Sequence, residues 1–531
     1  MPKQVTLKLK PEEAFNDEVL LQEIAKALRI FRKTISGYRF VKQSIDARSR
    51  QQIWINVTID VFVNEPVQPI ALESYRLQNV ENAKKQVVII GAGPAGLFAA
   101  LKLLELGVKP IILERGKNVK DRRRDLAQLN KFGILNEESN YCFGEGGAGT
   151  YSDGKLYTRS NKRGNINKIL HCFVQFGADE NILYKSHPHI GTNKLPKIIT
   201  NIRESILAHG GEIYFDNKVD DLVIENDQIK AVKTSSGNSF SGEAYILATG
   251  HSANDIYELL HSKNILIENK PFALGVRIEH QQNIIDACQY HTPITEHRKE
   301  YLPPASYSLV EQVNGRGVFS FCMCPGGIIA PAATKQKHLV VNGWSPSKRD
   351  NEHANSGMVV QVFLEDALHY FKQNKIMGYD ATHPLALLHF QSLIESKAFE
   401  FGGGNFVAPA QRVVDFCTNK TSKDLPSCSY HPGLRPTNLN YVLPSFVHQT
   451  LQQGIKEFGK RMKGYYSNDA VVVGVESRTS SPVRIPRDKE KLHHPQVKNL
   501  FPCAEGAGYA GGIVSAAMDG ENVATKAALI C

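Results

Sequence analysis

The sequence predicts an α/β protein built around a parallel β-sheet, with an inserted α+β region and a small α+β unit in front of it. Residues 86–113 have the pattern of a buried strand, a glycine turn, an amphipathic helix and a second strand, which is typical of a β-α-β unit. From about residue 471 the chain returns to a glycine-rich strand-turn-helix pattern. At 531 residues it is also too long for one simple domain.

Changes of pattern divide the chain into four predicted segments. Residues 1–80 form a small α+β module, for which docking or dimerisation is the plainest interpretation. Residues 81–270 hold the first part of the parallel-sheet domain, including a meander of short antiparallel strands that ends in a buried strand. Residues 271–470 mix strands and helices and are expected to form a substrate or cap domain. Residues 471–531 complete the parallel-sheet domain.

Composition excludes several classes of protein. Hydrophobic content of 42% and charged content of 22% are typical of a folded globular chain. The start "MPKQVTLKLKPEEAF" resembles neither a signal peptide nor an anchor, so we expect a cytoplasmic protein. Nine cysteines without a dense framework favour free thiols, and no ligand spacing indicates a metal site. The net charge of +10 is scattered along the chain, which disfavours nucleic acid as a partner.

The segment "VVIIGAGPAGLFAALKLLELGVKPIILERG" contains a G-x-G-x-x-G motif between a strand and a helix. In such a motif Gly91 permits the tight turn, Gly93 lets the backbone approach a pyrophosphate, and Gly96 lets the helix pack on the sheet. The helix N-terminus attracts the negative charge. Glu114 ends the next strand and is placed to accept hydrogen bonds from a ribose. The motif predicts a Rossmann-type dinucleotide site.

The motif alone does not choose between NAD and FAD. Two further segments return to the same sheet: "AYILATG", which ends in Thr249 and Gly250, and "NLFPCAEGAGYAGGIVSAAMDGENVA". One extended dinucleotide explains them more simply than three separate nucleotide sites, so we expect FAD. Glu505 is then placed to bind ribitol hydroxyls, and residues 511–513 present N–H groups to the flavin's pyrimidine edge.

Together these segments resemble the FAD-dependent dehydrogenases often labelled NAD(FAD)-utilising dehydrogenases, within the glutathione-reductase-like flavoproteins. The similar segments cover nearly all of residues 86 to 531. They include "GAGPAGLFAALKL", "FGEGGAGTYSDGKL", "ILATGHSANDI", "PFALGVRIEH", "SFCMCPGG", "ESRTSSPVRI" and "EGAGYAGGIVSAAMDG". The resemblance implies a Rossmann-type FAD-binding domain with an inserted α+β cap.

The resemblance also implies which residues hold the cofactor. The glycine run of "FGEGGAGTYSDGKL" passes beside the pyrophosphate and the flavin, Arg122 points toward the phosphates, and the backbone of Val219 meets the adenine. The expected cofactor contacts are Gly91, Gly93, Pro94, Ala95, Gly96, Glu114, Arg115, Arg122, Gly147, Ala148, Gly149, Thr150, Asp153, Val219, Thr249, Gly250, Glu505, Gly511, Gly512 and Ile513. One departure is Ala504, where the family usually has glycine; the extra methyl fits if the local backbone angles are ordinary.

The sequence offers several candidates on the substrate side but identifies no catalytic residue. Arginines near the last FAD segment and in "PFALGVRIEH" are suited to bind a carboxylate or phosphate, with solvated ion pairs an equally good interpretation. These candidates are Arg277, Glu279, His280, Arg478 and Arg484, with His251 and Asp255 just past Gly250. Cys322 and Cys324 form a C-x-C pair, for which structural thiols are favoured over a redox dithiol.

The predicted function is that of an FAD-dependent oxidoreductase that transfers a hydride between the flavin and an organic small-molecule substrate in a capped pocket. No second glycine motif with strand and helix context follows, so a nicotinamide dinucleotide bound transiently at the cap and an electron-transfer protein remain alternative partners. "EGAGYAGG" does not match the final motif typical of aromatic-ring monooxygenases. The alternative from another class is an FAD-binding protein whose N-terminal module binds a protein or RNA, with the flavin as sensor or structural element.

Overall fold

The computed structural model describes residues 2–158, 164–291 and 300–531. The labelled strands are β1 (Lys3–Leu9), β2 (Ile35–Asp46), β3 (Trp54–Val63), β4 (Gln86–Ile90), β5 (Lys109–Leu113), β6 (Glu212–Tyr214), β7 (Val219–Glu225), β8 (Gln228–Thr234), β9 (Ser239–Phe240), β10 (Ala244–Leu247), β11 (Glu268–Asn269), β12 (Phe272–Gln281), β13 (Val310–Val313), β14 (Arg316–Cys324), β15 (Ile328–Pro331), β16 (Val341–Trp344), β17 (His353–Val362), β18 (Ala408–Arg412), β19 (Leu434–Pro436), β20 (Val471–Glu476), β21 (Val483–Arg484) and β22 (Leu500–Pro502). The labelled helices are α1 (Pro11–Ala14), α2 (Asp17–Leu28), α3 (Pro94–Glu105), α4 (Val119–Phe132), α5 (Ile166–Gln175), α6 (Leu195–Ala208), α7 (Asn254–Ser262), α8 (Gln282–Tyr290), α9 (Leu364–Gln373), α10 (Ala386–Gly402), α11 (Val413–Cys417), α12 (Ser445–Arg461) and α13 (Ile513–Ala527).

The predicted parallel sheet is present, with five strands in the order β22-β10-β4-β5-β6. The strands β4 and β5 are rich in Val and Ile, as is typical of a parallel sheet whose two faces are both buried. Ile89 belongs to the core formed with α3 and α13, whereas Val88 and Ile90 point to the opposite face, toward the meander β7-β8-β9. The strands β4 and β5 with α3 between them form the expected β-α-β unit, and α3 begins at Pro94 directly after the glycine turn.

A second sheet of seven strands, in the order β13-β14-β17-β12-β20-β18-β19, forms the cap. Its long central strands, β12 and β17, are antiparallel, and β20 pairs with both β12 and β18. The cap sheet therefore extends to Glu476, beyond the residue 470 expected from the sequence. The antiparallel pair β11-β21 lies in the two connections between cap and parallel sheet.

The N-terminal residues form an antiparallel sheet in the order β1-β3-β2, with α1 and α2 between β1 and β2. Its buried side chains, such as Ile24 and Ile59, belong to the same hydrophobic core as Ile278 and Val360 of the cap. The N-terminal unit is thus packed on the cap. Among the described residues, no helix combines the length and the apolar character that crossing a bilayer requires.

Candidate functional site

A cavity of about 570 Å³ opens at the carboxyl ends of β4, β5 and β10, where ligands bind in open α/β sheets. Its floor is the parallel-sheet domain, and one wall comes from the cap. The sequence-predicted residues that line it are Gly91, Gly93, Pro94, Ala95, Glu114, Arg115, Gly147, Ala148, Gly149, Asp153, Val219, Thr249, Gly250, Glu505, Gly511, Gly512 and Ile513. Segments more than 400 residues apart in sequence therefore meet at one site.

The glycines of the first turn have different physical reasons to be glycine. Gly91 has φ +108°, and a Cβ there would lie 2.5 Å from the carbonyl oxygen of Ala248. A Cβ at Gly96 would overlap the carbonyl oxygen of Gly91, so Gly96 sets the close packing of α3 and does not line the cavity. A Cβ at Gly93 would meet only the Cα of Gly147, at 3.9 Å. The space beside Gly93 is therefore kept free of protein atoms, as an approaching pyrophosphate requires.

Arg122 does not face the cavity, which corrects the expectation that it points toward the phosphates. Its guanidinium is fully buried and donates to the carbonyl oxygens of four residues, which are Asn140 (2.9 Å), Tyr141 (3.0 Å), Glu145 (2.7 Å) and Gly147 (2.9 Å). Burial lowers the pKa of Arg122 because desolvation penalises its charge. Arg122 thus holds the glycine run of "FGEGGAGTYSDGKL" in place from the side away from the cavity.

Thr150 also turns away from the cavity, contrary to expectation. Its side chain is buried and Oγ1 donates to the carbonyl oxygen of Glu145 at 2.8 Å. A Cβ at the neighbouring Gly146, where φ is +79°, would overlap that hydroxyl. Thr150 therefore closes the turn that presents Gly147 and Gly149.

Glu114 and Arg115 line the cavity but already have protein partners. The Glu114 carboxylate accepts backbone N–H groups from Ala92, Gly116 and Gly144, each at 2.9 Å. This fixes the carboxylate at the end of β5, with further lone pairs for a ribose. Arg115 pairs with Glu138 and Asp255, and the negative charge of these two carboxylates raises its pKa against the opposing effect of burial.

The start of α13 forms another part of the cavity. Glu505 lies against Gly511, where an added Cβ would overlap Oε2, and its Oε1 accepts the N–H of Ser481 at 3.0 Å. Ala504 has φ +56°, in the left-handed region, so its backbone angles are not ordinary. The extra methyl is expected to fit only with ordinary angles, and it is therefore held in a strained backbone conformation. Its N–H donates to Asp519 at 2.7 Å, which holds this turn on α13.

Of the substrate-side candidates, Arg478 and His251 line the cavity, while Arg277, Glu279 and His280 do not. Arg277 is fully buried beneath the cap wall and pairs with Glu476 at 2.7 Å, so it is an interior ion pair and not a free substrate arginine. Glu279 and His280 also have partners inside the protein: Glu279 accepts from Ser429, and His280 contacts the carbonyl oxygen of Tyr465. Arg484 is exposed beside Tyr509, and Asp255 pairs with Arg115.

The remaining polar lining is largely paired. Arg478 pairs with Glu395 at 2.8 Å, and Asp153 pairs with Arg349 at 2.7 Å. Lys155 lies 3.8 Å from Asp153. Burial lowers the pKa of His251, which keeps this imidazole neutral near pH 7. Within the described residues, no cluster of His, Cys, Asp and Glu could hold a metal ion.

Of the lining residues that the cap supplies, sequence reasoning named Cys322, with structural thiols favoured, and missed Phe321 and Asn342. Phe321, Cys322 and Asn342 reach the cavity from β14 and β16. Alternation along β14 could not have placed Cys322, because a bulge between Phe321 and Cys324 interrupts the strand register.

Comparisons with known proteins agree with this geometry. Residues 84–238 match the model of an FAD binding domain, residues 271–479 match "FAD-dependent protein, C-terminal domain-like", and residues 1–62 match a domain of unknown function. The chain is therefore an FAD-dependent flavoprotein, and FAD is its cofactor. The space beside Gly93 and the glycine-lined cavity fit that group.

The chain belongs to the same family as an uncharacterized protein of Clostridium beijerinckii (strain ATCC 51743 / NCIMB 8052), with 40% identity over 523 residues and 95% of each chain covered. Solved structures with similarity include glycine oxidase from Bacillus cereus ATCC 14579, with 14% identity, a TM-score of 0.32, and 84% of this chain and 95% of that chain covered. Another is L-proline dehydrogenase from P. horikoshii, with 12% identity, a TM-score of 0.31, and coverage of 83% and 92%.

Proposed function

We propose that this protein is an FAD-dependent oxidoreductase of glutathione-reductase-like architecture that transfers a hydride between the flavin and an organic substrate bound under the cap. The observation that carries the proposal is that the glycine-rich dinucleotide loops and the cap residues Phe321, Cys322 and Asn342 line one and the same cavity. A structural FAD site would need no second wall of this kind. The assignment as a dehydrogenase or a reductase, which differ in the direction of hydride transfer, is likewise part of the proposal.

The protein's own groups bind and orient the cofactor. When bound, FAD supplies the hydride chemistry at its isoalloxazine ring. The N-terminus of α3 would hold the pyrophosphate, and residues 511–513 at the start of α13 would offer N–H groups to stabilise negative charge on the reduced ring. The bare backbone of Gly147 and Gly149, held by Arg122, lets the ring approach without a side-chain collision.

The cap supplies the substrate side of the cavity. The lining of the cavity as a whole is mostly apolar, and its cationic side chains Arg478 and Lys155 favour a substrate with negative charge. Arg478 retains donor capacity beyond its Glu395 pair, and the neutral His251 is able to donate or accept a hydrogen bond. These two residues are proposed to orient the substrate.

An anaerobic titration of the holoprotein with NADH and then NADPH, following flavin absorbance, tests the proposal. Rapid bleaching by either compound identifies a nicotinamide-driven reductase. If neither reduces a flavin that dithionite reduces, the electron donor is an organic substrate or a partner protein, and a screen of hydride-donating acids and amines under the same conditions follows. A flavin that no such donor reduces in the holoprotein, and that no acceptor reoxidises, overturns the oxidoreductase proposal.

The alternative of a partner-binding N-terminal module is less well supported. The apolar side of its sheet is packed into the core shared with the cap, which favours a role in holding the cap in place. Under that role, Ile59→Ala in this core lowers the melting temperature of the whole protein. An unchanged melting temperature would instead favour an independent module.

A further inference from the structure

The C-x-C pair lies in the cap wall of the flavin cavity. Cys322 lines the cavity and has φ +46°, at the bulge where β14 loses register with β17 between Phe321 and Cys324. Such a conformation is uncommon for a residue other than glycine, and it is often found where function constrains the backbone. Cys324 is fully buried directly behind, and its thiol donates to the carbonyl oxygen of Cys322 at 3.2 Å.

Two cations surround this pair. Arg277 donates through Nη2 to the carbonyl oxygen of Cys322 at 2.8 Å and to the sulfur of Cys324 at 3.5 Å. Lys155 donates to the carbonyl oxygen of Met323, between the two cysteines. Cations next to a thiol favour the thiolate. Arg277 also pairs with Glu476 at 2.7 Å, which offsets part of its charge.

The electrostatic consequence differs between the two sulfurs. The neighbouring Cys324 thiol, with the charges of Lys155 and Arg277, lowers the pKa of Cys322 to about 5 against the opposing effects of burial and Asp153. The pKa of Cys324 is raised well above its ordinary value by the neighbouring Cys322 side chain and by burial. Cysteines elsewhere in the core contrast with Cys322: burial raises the pKa of Cys172, Cys417 and Cys503.

We propose that Cys322 and Cys324 are a dithiol–disulfide couple that exchanges two electrons with the flavin and with a small disulfide substrate, Cys322 being the sulfur that reacts with the substrate. The proposal rests on the proposed function for the source of the flavin's electrons, which is an organic hydride donor. It revises the sequence-based preference for structural thiols.

The chemistry balances in three steps. The Cys322 thiolate attacks one sulfur of the substrate disulfide, a mixed disulfide forms, and the first substrate thiolate leaves and takes up a proton. Cys324 then loses its proton and attacks the Cys322 sulfur, the mixed disulfide breaks, and the second substrate thiol is released. The Cys322–Cys324 disulfide finally takes two electrons from the reduced flavin and one proton from solvent, which restores the Cys322 thiolate and the Cys324 thiol. A hydride donor then reduces the flavin again.

Peptide mapping tests the couple itself, without reference to turnover. Residues 317–335 form one tryptic peptide that contains both cysteines and no other. In holoprotein equilibrated with hydroxyethyl disulfide, this peptide is expected to be lighter by two hydrogen atoms than in the reduced protein and to resist alkylation by iodoacetamide. Cys322→Ser and Cys324→Ser each abolish that mass change, while Cys288→Ser in α8 is the control and leaves it intact. A peptide that stays fully alkylatable would overturn the proposal.

The rate of alkylation at Cys322 gives a second readout. In the reduced protein, wild-type Cys322 is expected to reach half its maximal rate near pH 5, whereas Cys288, whose pKa burial raises, reacts only at alkaline pH. Lys155→Met is expected to shift the Cys322 profile to higher pH, and Lys155→Arg to restore it. Identical profiles for Cys322 and Cys288 contradict the proposal.

Electron counting separates this proposal from the hydride-transfer proposal. Anaerobic dithionite titration of the oxidised holoprotein is expected to consume two electron pairs per flavin, against one pair in Cys322→Ser. Hydroxyethyl disulfide should then reoxidise the reduced wild-type flavin but not that of the variant. If NAD(P)H or another donor reduces the flavin while wild type consumes only one pair, the dithiol fails and the oxidoreductase stands. If dithionite titrates two pairs but no hydride donor reduces the flavin, the dithiol stands and the donor assignment fails.

Discussion

The guanidinium of Arg122 donates through Nη2 to the carbonyl oxygen of Gly147 at 2.9 Å, so a buried cation on α4 holds a loop that lines the flavin cavity. Three further carbonyl oxygens accept from the same group. The carbonyl oxygens of Glu145 and Gly147 also accept from Thr150, whereas those of Asn140 and Tyr141 would lose their donor without the fork of the guanidinium. The shape of the glycine run therefore depends strongly on this one side chain.

Arg122→Lys is therefore expected to weaken FAD binding at least about tenfold and to lower the free energy of unfolding by about 2–4 kcal/mol, since an ammonium cannot reach four diverging carbonyls. Flavin fluorescence during dilution gives the affinity, and urea unfolding of the flavin-free protein gives the stability. Arg124→Lys is the control, because Arg124 is on the same helix with its side chain 74% exposed. Equal flavin affinity in the two variants would show that the loop holds its shape without Arg122.

Gly93→Val and Gly96→Val should fail in different ways. A Cβ at Gly93 meets no protein atom closer than 3.9 Å, so that variant is expected to fold but to lose flavin from the blocked space. A side chain at Gly96 overlaps the carbonyl oxygen of Gly91, so that variant loses the packing of α3 and does not fold. Circular dichroism and the flavin-to-protein absorbance ratio distinguish these outcomes. Normal FAD content in folded Gly93→Val would defeat the assignment of this turn to the pyrophosphate.

Ala504→Gly is expected to stabilise the protein by about 0.5–1 kcal/mol, because φ +56° costs alanine more than glycine loses in chain entropy. Ala524→Gly, within α13, is the opposite control and should destabilise by about 1–2 kcal/mol, because the loss of a buried methyl adds to the helix-propensity cost. Thermal unfolding of the two variants beside wild type measures both shifts. A loss of stability in Ala504→Gly would mean that the methyl contributes more by packing than the backbone conformation costs.

Stability is expected to fall in mild acid, partly through His280. Burial lowers the pKa of His280 to about 4, against a hydrogen bond to Tyr465 that acts in the opposite direction. The unfolded chain binds a proton at this side chain below about pH 6.5, whereas the native protein does not until about pH 4, so stability present above pH 6.5 is lost as the pH falls. The loss from this residue is about 2 kcal/mol at pH 5.

His280→Gln keeps a side-chain N–H for Tyr465 and should flatten that pH dependence by up to one proton. Urea unfolding at several values between pH 4.5 and 7 measures the slope. His431→Gln, at an exposed position, serves as the comparison and should retain the wild-type slope. A slope unchanged by His280→Gln would assign the acid sensitivity to other buried groups.

The parallel sheet, the glycine turn and the return of the C-terminal segment could be predicted from sequence because each depends on local pattern. The roles of Gly91, Gly93 and Gly96 can be inferred from their spacing. The directions of Arg122 and Arg277 could not be predicted. Three arginines in "DRRRD" have equal chemistry, and only the path of the loop decides which one is buried. The partner of Arg277, Glu476, lies far along the chain. Cys322 faces the cavity because of a bulge that no alternation rule indicates.

The place of α13 in the chain has a consequence for biosynthesis. Its first residues, 511–513, complete the cavity, and Gly520 packs so closely on Ala95 that a Cβ there would overlap the alanine's carbonyl oxygen. A ribosome that has translated only as far as the cap has therefore released the glycine turn and α3 without their final cover. Flavin binding that uses residues 511–513 must wait until α13 has emerged, and until then the apolar face of α3 lacks the helix that covers it.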